Sequence, residues 1–514
     1  MESLNPATGE RVGAVTATSP RDVAAIVAQA REVSPLWARL RPVDRARYMA
    51  RAAQAVIDEF DELAELLCAE QGRPRAEAGV MELLAAVETL QWLAEHGPGI
   101  LAGERIPFSR TQHPVKRGRW TYEPLGVVGV LGPAAEPFAT PLGDVAVALM
   151  AGNGVVLKPS PHVPLLGTRI ARIFARAGLP EGLLGVAQGH TDVGAALVAA
   201  DVAQVRFTGG ARAGREVGAA CARELKRSVL ELGGRDAMLV LADARVDRAA
   251  RGAVWAAFAN AGQCGGSVRR ALCVDAVHDR FLAGVLHHTS ALRVGDPRDP
   301  QTSVGPLVTT ERAERVAELV ADAVAQGATL HCGGRVSGAL VAPVVLSGVR
   351  PAMRIAREEV PGPVLSIESV ADAEAAVAAA NAGGLGLGAS VWTADRVGAE
   401  RVARELHAGM VWGNDHLVDR SAPQAPWGGV GGAGIGRARG TIALRTCAEP
   451  KVVTWDPPIG RPAWWFPYDN AVVTAARTYA GLRSKRDSDR ERALRTGTKA
   501  VGTVFARWVR ALRG

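Results

Sequence analysis

The chain predicts an α/β fold, a parallel sheet with helices on both faces, and three observations lead there. From Gly126, short apolar runs alternate with amphipathic stretches of helical period, the pattern of βαβ units. At 514 residues the chain exceeds one ordinary core, so two domains of unequal size, or two with an appendage, are expected. No run approaches the roughly 18 uninterrupted apolar residues of a membrane span, and the first six residues lack the basic-then-apolar order of a secretion signal.

Taken in order, Asn5-Pro6-Ala7-Thr8-Gly9-Glu10 reads as a turn leading into a strand, and Ser19-Pro20-Arg21-Asp22 as an N-cap with proline at the first helical position. Val23, Ile26, Val27 and Ala30 recur at helical spacing, and amphipathic helices follow at about 43–70 and 75–95. Pro107 to Thr121 reads as an extended, basic, exposed ribbon. Then come a strand at 127–131, a helix at 141–151, a strand at 155–158, a helix at 163–177 closed by Gly178, a strand at 185–187, a helix at 192–200, a strand at 204–207 and a helix at 212–223. A further α/β pattern runs from Ala237 to about Asn414.

Charge separates the tail from the rest. Residues 461–514 hold twelve Lys and Arg against four acids, a surplus of +8 that equals the charge of the whole chain. Residues 1–460 are therefore formally neutral and give no electrostatic sign of nucleic-acid binding. Trp455-Asp456-Pro457-Pro458 and Trp464-Trp465-Phe466-Pro467-Tyr468 form a Pro-rich aromatic linker. Beyond it Val501, Val504, Phe505, Val509 and Leu512 make a rough helical stripe among Lys499, Arg507, Arg510 and Arg513. Such a helix suits peripheral contact with an anionic membrane surface; packing on the body or on a partner subunit is the alternative. Six cysteines without C-x-x-C spacing, and no H-E-x-x-H, give neither a disulfide framework nor a metal site, so reduced thiols in a cytoplasmic protein are expected.

One stretch carries the strongest chemical signal: Asn260-Ala261-Gly262-Gln263-Cys264-Gly265-Gly266-Ser267-Val268-Arg269-Arg270. A small polar, glycine-flanked turn between an apolar helix and an apolar strand is where an exposed thiol nucleophile can be held. Cys68, Cys221, Cys273 and Cys447 lie in apolar or helical surroundings and read as core residues. Ligands in parallel sheets bind at the carboxyl ends of strands, and two such ends carry suitable groups. Lys158-Pro159-Ser160 offers a cation to a ribose or phosphate, and Thr208-Gly209-Gly210 lets a pyrophosphate approach a helix N-terminus. Glu231, inside the apolar strand end Val229-Leu230-Glu231-Leu232-Gly233-Gly234, is a general-base candidate because partial burial raises a carboxyl pKa. Gly429-Val430-Gly431-Gly432-Ala433-Gly434 satisfies G-x-G-x-x-G but follows Pro426-Trp427 rather than an apolar strand, so it reads as a loop.

In this order the pieces resemble the NAD(P)-dependent aldehyde dehydrogenase superfamily, from Asn5 to about Lys451. The carrying stretches include 151–160, Ala177-Gly178-Leu179-Pro180, Phe207-Thr208-Gly209, Glu231-Leu232-Gly233-Gly234, Gly262-Gln263, Glu358-Glu359 with Gly362-Pro363-Val364, Gly409-Met410-Val411 with Asn414, and Pro426-Trp427-Gly428-Gly429. Ser267-Val268-Arg269-Arg270 looks most like the succinate-semialdehyde dehydrogenase branch. The resemblance implies a Rossmann-like cofactor domain over 1–232, with the ribbon at about 105–121 serving oligomerisation. It also implies an α/β catalytic domain over 233–432, a return segment over 433–456, and leaves 457–514 as linker and tail. It further implies NAD or NADP as cofactor, an aldehyde substrate and a homodimer or homotetramer. Glu231 matches the water-activating glutamate, Lys158 and Glu359 the ribose contacts, and Thr208-Gly209 the pyrophosphate turn, with Ser160, Gly210 and Gly233 in the same cofactor set. Asn414 matches a structural asparagine near the pocket.

The departures fall on the chemistry. The family pattern G-Q-x-C places its nucleophile at Gly265, one residue after Cys264, and its oxyanion asparagine at Ala135. Gly210 stands for a serine, Pro361 for a phenylalanine near the nicotinamide, and Pro161 for an acid whose absence makes NADP as plausible as NAD. Two readings follow: an aldehyde dehydrogenase working through Cys264, or an impaired or inactive relative acting as a binding or scaffolding subunit. Acyl transfer to coenzyme A is a third, against which Glu231 argues.

Overall fold

The structure, a computed structural model, describes the chain except residues 110–112, 114, 418–421, 459–464, 467, 468 and 514, with side chains up to Ala506. Part of the aromatic linker (Trp464, Pro467, Tyr468) and the tail side chains of Arg507, Val509, Arg510, Leu512 and Arg513 thus lie outside the described residues. Two compact units are present: Met1–Gly103 with Thr121–Lys451, and Glu104–Trp120 with Val452–Gly514.

The first unit opens with a two-stranded antiparallel pair, Glu2–Leu4 with Arg11–Ala14, on either side of the expected turn, and helices follow as the amphipathic pattern predicts. The stretch expected as one helix over 43–70 is broken at Glu59 into Pro42–Asp58 and Phe60–Gln71. The Ser19-Pro20 start is corrected as well: the helix Val23–Ala38 begins at Val23 with Asp22 as N-cap, and neither Ser19 nor Pro20 belongs to it.

Two sheets follow. In the first lie β1 (Val127–Leu131), β2 (Gly154–Lys158), β3 (Leu184–Val186), β4 (Gln204–Gly209) and β5 (Arg227–Leu232), mutually parallel. The second holds β6 (Asp236–Val240), β7 (Val268–Val274), β8 (Thr329–Cys332), β9 (Val344–Ser347), β10 (Val364–Val370), β11 (Gly388–Trp392) and β12 (Met410–Gly413) in the order β8-β9-β10-β7-β6-β11-β12. β8 pairs antiparallel with β9, and the other neighbours are parallel. Central strands such as β1, β2 and β6 are buried at every position, which is why they read as unbroken apolar runs.

The glycine-rich decoy segment is not wholly a loop. Gly434–Ile435 forms β13, which joins the first sheet antiparallel to β5 with Gly434 opposite Glu231, giving the order β13-β5-β4-β1-β2-β3. A Cβ at Gly434 would lie 2.0 Å from the Leu230 carbonyl oxygen, so glycine here permits close strand approach rather than phosphate contact.

In the second unit, Glu104–Arg105 pairs with the strand Arg117–Pro124, and Ala448–Trp455 flanks that strand on its other side. The unit also contains two helices, Asn470–Leu482 and Asp487–Arg513, packed against each other. Gly497 meets Thr478 and Gly481 meets Ala493 so closely that no Cβ would fit at either glycine. Among the described residues no helix is long and apolar enough to cross a membrane.

Candidate active site

The turn between the helix Val246–Phe258 and β7 has an unusual backbone. Asn260, Ala261 and Gly262 adopt φ of 54°, 51° and 67° in succession, a left-handed run that costs non-glycine residues about 1 kcal/mol or more each. Neighbouring segments hold it from several sides. Asn260 N donates to Glu77 Oε2 at 2.8 Å, Gln71 Nε2 donates to Asn260 Oδ1 at 2.8 Å, and Asn260 Nδ2 donates to the Ala135 carbonyl at 2.8 Å. Arg73, fully buried and ion-paired with Glu82, reaches the same Ala135 carbonyl at 2.6 Å. Val308 N donates to Gln263 Oε1 at 2.9 Å, and Arg269 donates to the Gly262 and Gly362 carbonyls. The backbone of Gly362 passes so close that a Cβ at Gly262 would lie 2.5 Å from its oxygen.

Cys264 is 1 % exposed and packs against Met81 and Ala259, with Asn260 Nδ2 3.9 Å from its sulfur. The expectation of an exposed thiol is therefore corrected: the tight left-handed run turns Cys264 inward, and Gly265 is the exposed position. Cys264 nevertheless lines a cavity of about 60 Å3 whose wall includes Gly233, Gly265, Glu359 and Pro361. Arg269 also lines it.

Glu231, 8 % exposed near the end of β5, accepts a hydrogen bond from Thr208 Oγ1 at 3.2 Å. Burial first, then the negative charge of Asp144, push its carboxyl up to about 8, against the pull of Arg206, Arg439 and Thr208. Its side chain borders a separate small cavity, about 20 Å3, with Thr140, Asp144 and Arg439. The chain just beyond Glu231 is tied to the cysteine turn, since Gly234 N donates to the Gly265 carbonyl at 3.2 Å. Sequence reasoning missed the Asp144–Arg206 pair, buried at 2.6 Å. Burial opposes the charge on Arg206 most strongly, but Asp144, Cys447 and Glu231 together outweigh it and hold the guanidinium above its ordinary value. The signal was available, because each is a lone charge in an apolar run, Asp144 within Ala139–Met150 and Arg206 within β4.

The expected cofactor residues fall into two groups. Lys158 and Ser160, both buried, line a cavity of about 470 Å3 with Leu131, Pro161, Phe207 and Val217 at the carboxyl ends of β1, β2 and β4. Burial pulls the Lys158 ammonium down to about 8, with Asp192 opposing. Gly210, Gly233 and Glu359 converge elsewhere, with Gly209 just before them at the end of β4: the Glu359 carboxylate lies 3.2 Å from a Cβ built at Gly210 and 4.0 Å from one at Gly233. Gly210 also caps the helix Ala211–Arg223 without a side-chain hydrogen bond, leaving its first N–H groups to an anion. Thr208 spends its hydroxyl on Glu231, so at the turn it offers backbone. The cavity of about 470 Å3, largely apolar with Lys158, Arg223, Glu216 and Glu224 in its wall, and the bare helix N-terminus at Gly210 together fit a dinucleotide such as NAD(P). Asn414 bridges Thr393 through both amide atoms, a structural role. No group of three or more metal-ligating side chains occurs among the described residues.

Comparison with known proteins extends these observations. A model of the aldehyde dehydrogenase family matches residues 1–453. A betaine aldehyde dehydrogenase of Cereibacter sphaeroides is 36 % identical over 454 residues, 88 % of this chain and 92 % of that protein. Another from Rhizobium etli is 36 % identical over 461 residues, covering 88 % and 93 %. Among solved structures, an NAD-dependent aldehyde dehydrogenase from Sinorhizobium meliloti superposes with a TM-score of 0.86 at 34 % identity, covering 91 % of this chain and 93 % of that one. An aldehyde dehydrogenase of Mycobacterium tuberculosis complexed with NAD+ gives 0.84 at 34 % identity, covering 88 % and 94 %. Similarity of this extent favours the NAD(P)-dependent oxidoreductase over the scaffolding reading. A family model spanning residues 1–453 and relatives 36 % identical over 88 % of the chain show that it belongs to the aldehyde dehydrogenase family.

Proposed function

We propose that Cys264 and Glu231 carry the aldehyde oxidation of this enzyme. The observation that carries the proposal is the cavity whose wall contains both Cys264 and the Gly233–Glu359 corner of the cofactor set. In this reading the Cys264 thiolate adds to the aldehyde carbonyl carbon, and the carbonyl oxygen becomes an oxyanion. When bound, NAD(P)+ takes up the hydride that the oxidation releases. The resulting thioester is cleaved by water from which Glu231 removes a proton, and the carboxylic acid departs as the thiol is regenerated. Lys158, Ser160, Gly209, Gly210, Gly233 and Glu359 hold the cofactor, and the backbone of Thr208 completes the pyrophosphate turn. The first sheet serves as the cofactor domain and the second as the catalytic domain. The test is turnover of purified protein with NAD or NADP and a panel of aldehydes, betaine aldehyde first because the relatives carry that name. Cys264→Ala should abolish turnover, and survival of activity would mean a different nucleophile.

A homodimer or homotetramer in the cytoplasm is the quaternary part of the same reading. The edge strand Ala448–Trp455 supports it: Val452, Val453 and Trp455 are exposed there, the surface a second copy would cover. Light scattering on the eluting protein tests this, and a monomer at working concentration would refute it. Peripheral contact with anionic membranes through the tail is supported by exposed Leu494, Val501 and Phe505 on a helix rich in arginine. Equal flotation on anionic vesicles with and without residues 461–514 would end that idea.

A further inference from the structure

Outside the catalytic cavity, the second sheet encloses a larger one, about 320 Å3, with an unusual charge balance. Its wall contains Arg235, Arg269, Arg270 and Arg357, and one carboxylate, Glu368. Three of the arginines are oriented by neutral carbonyls. Arg235 donates to Ala356 O and, at 2.8 Å, to Gly383 O; Arg270 donates to Ala380 O at 2.7 Å; Arg269 donates to Gly362 O at 2.6 Å. Carbonyls satisfy N–H groups without cancelling the positive charge. Arg270 keeps a buried Nε that makes no hydrogen bond among the described residues. Two guanidiniums also converge on one point: a carbon at the Cβ position of Gly383 would stand 3.1 Å from Arg235 Nη2 and 3.5 Å from Arg270 Nη2. Burial holds Arg270 below its ordinary pKa, with Arg235 adding to the depression and Glu368 and Asp236 opposing it. Apart from Ser366 the rest of the lining is apolar, with Leu346, Val349, Ile355 and Val360.

We propose that this cavity is a binding site for a small organic anion, its carboxylate or phosphate head between Arg235 and Arg270 and its short hydrocarbon body against Ile355 and Val360. Guanidinium forks match both heads in geometry. The anion supplies the negative charge that a single glutamate does not, and an acceptor for Arg270 Nε. Because Arg235 and Arg269 also line the cavity of Cys264, and Arg269 holds the Gly262 carbonyl, occupancy bears on the cysteine turn. Only that coupling rests on the proposed role of Cys264; the binding does not.

The experiment is calorimetric titration of the full chain at constant ionic strength, with inorganic phosphate in one arm and butyrate in the other. At least one probe should bind saturably at one site per chain, and the tighter of the two names the head group. Arg270→Met should weaken it at least about tenfold, the worth of one charge-assisted hydrogen bond. Gly383→Ala keeps every charge but puts a methyl where the two guanidiniums converge, and should weaken binding as well. If Arg270→Met does not fold, Gly383→Ala decides alone. Lys158→Ala, in the cofactor slot, should leave the affinity unchanged. No saturable binding of either probe, unchanged affinity in Gly383→Ala, or loss in Lys158→Ala would overturn the proposal.

Discussion

Glu231 allows the most exacting test of the chemistry. Its carboxyl is pushed up to about 8, so at pH 7 only about one-tenth of the molecules hold the base in its working form. Hydrolysis of the acyl-enzyme should therefore climb roughly 50-fold between pH 6 and pH 8 and level off above. Following kcat by absorbance of the reduced cofactor over pH 6–9 gives this curve directly. Glu231→Gln preserves the shape of the side chain and removes the base. It should keep a first burst of reduced cofactor, one per Cys264, while steady turnover falls about 10²–10⁴-fold. A flat profile over that range, or a variant turning over at the wild-type rate, would refute the role of Glu231. Stability offers a second readout with a defined sign. The folded-state pKa lies above the unfolded value, so the contribution of the neutral carboxyl is full below about pH 4.5 and is lost as pH rises through 8. Glu231→Gln, which cannot ionise, should gain melting temperature relative to wild type between pH 5 and pH 8.

Other perturbations have equally definite outcomes. A Cβ at Gly265 would meet nothing nearer than Leu387 at 3.7 Å, so Gly265→Cys fits and places a thiol in the same cavity wall; it should restore turnover to Cys264→Ala, as single-turnover assays would show. Asp144→Ala leaves Arg206 charged and buried alone and should cost about 3–5 kcal/mol in denaturant unfolding, whereas the double variant Asp144→Leu with Arg206→Met should cost less. Gly262→Ala, at φ 67° and against the Gly362 oxygen, should destabilise by at least about 2 kcal/mol and slow turnover together. Lys158→Ala should weaken NAD(P) affinity, read by quenching of intrinsic fluorescence, with little change in melting temperature.

Much of the fold was legible because buried strands declare themselves. β1 falls at the expected residues, and the helices and strands that follow it lie within two or three residues of expectation, since their apolar runs end at glycine, proline or a charge. Glu231 was legible for a related reason: a lone acid in an apolar strand must be paired, protonated or at work. The inward direction of Cys264 was not, because it depends on three left-handed residues whose shape is imposed by Glu77, Gln71 and the Ala135 carbonyl, all more than a hundred residues away. The arginine cavity was hidden likewise, since Arg235, Arg270 and Gly383 meet only once β6 and β7 are paired.

The outside support of the cysteine turn has a consequence for how such a site can change. Because the run from Asn260 to Gly262 is clamped by side chains and carbonyls from other segments, most of what fixes its form lies away from positions 264 and 265. The tip is a socket rather than a self-made loop. Single substitutions at 264 and 265 should therefore shift a thiol along it by one residue, remove it or restore it, while the clamped backbone around it stays in place.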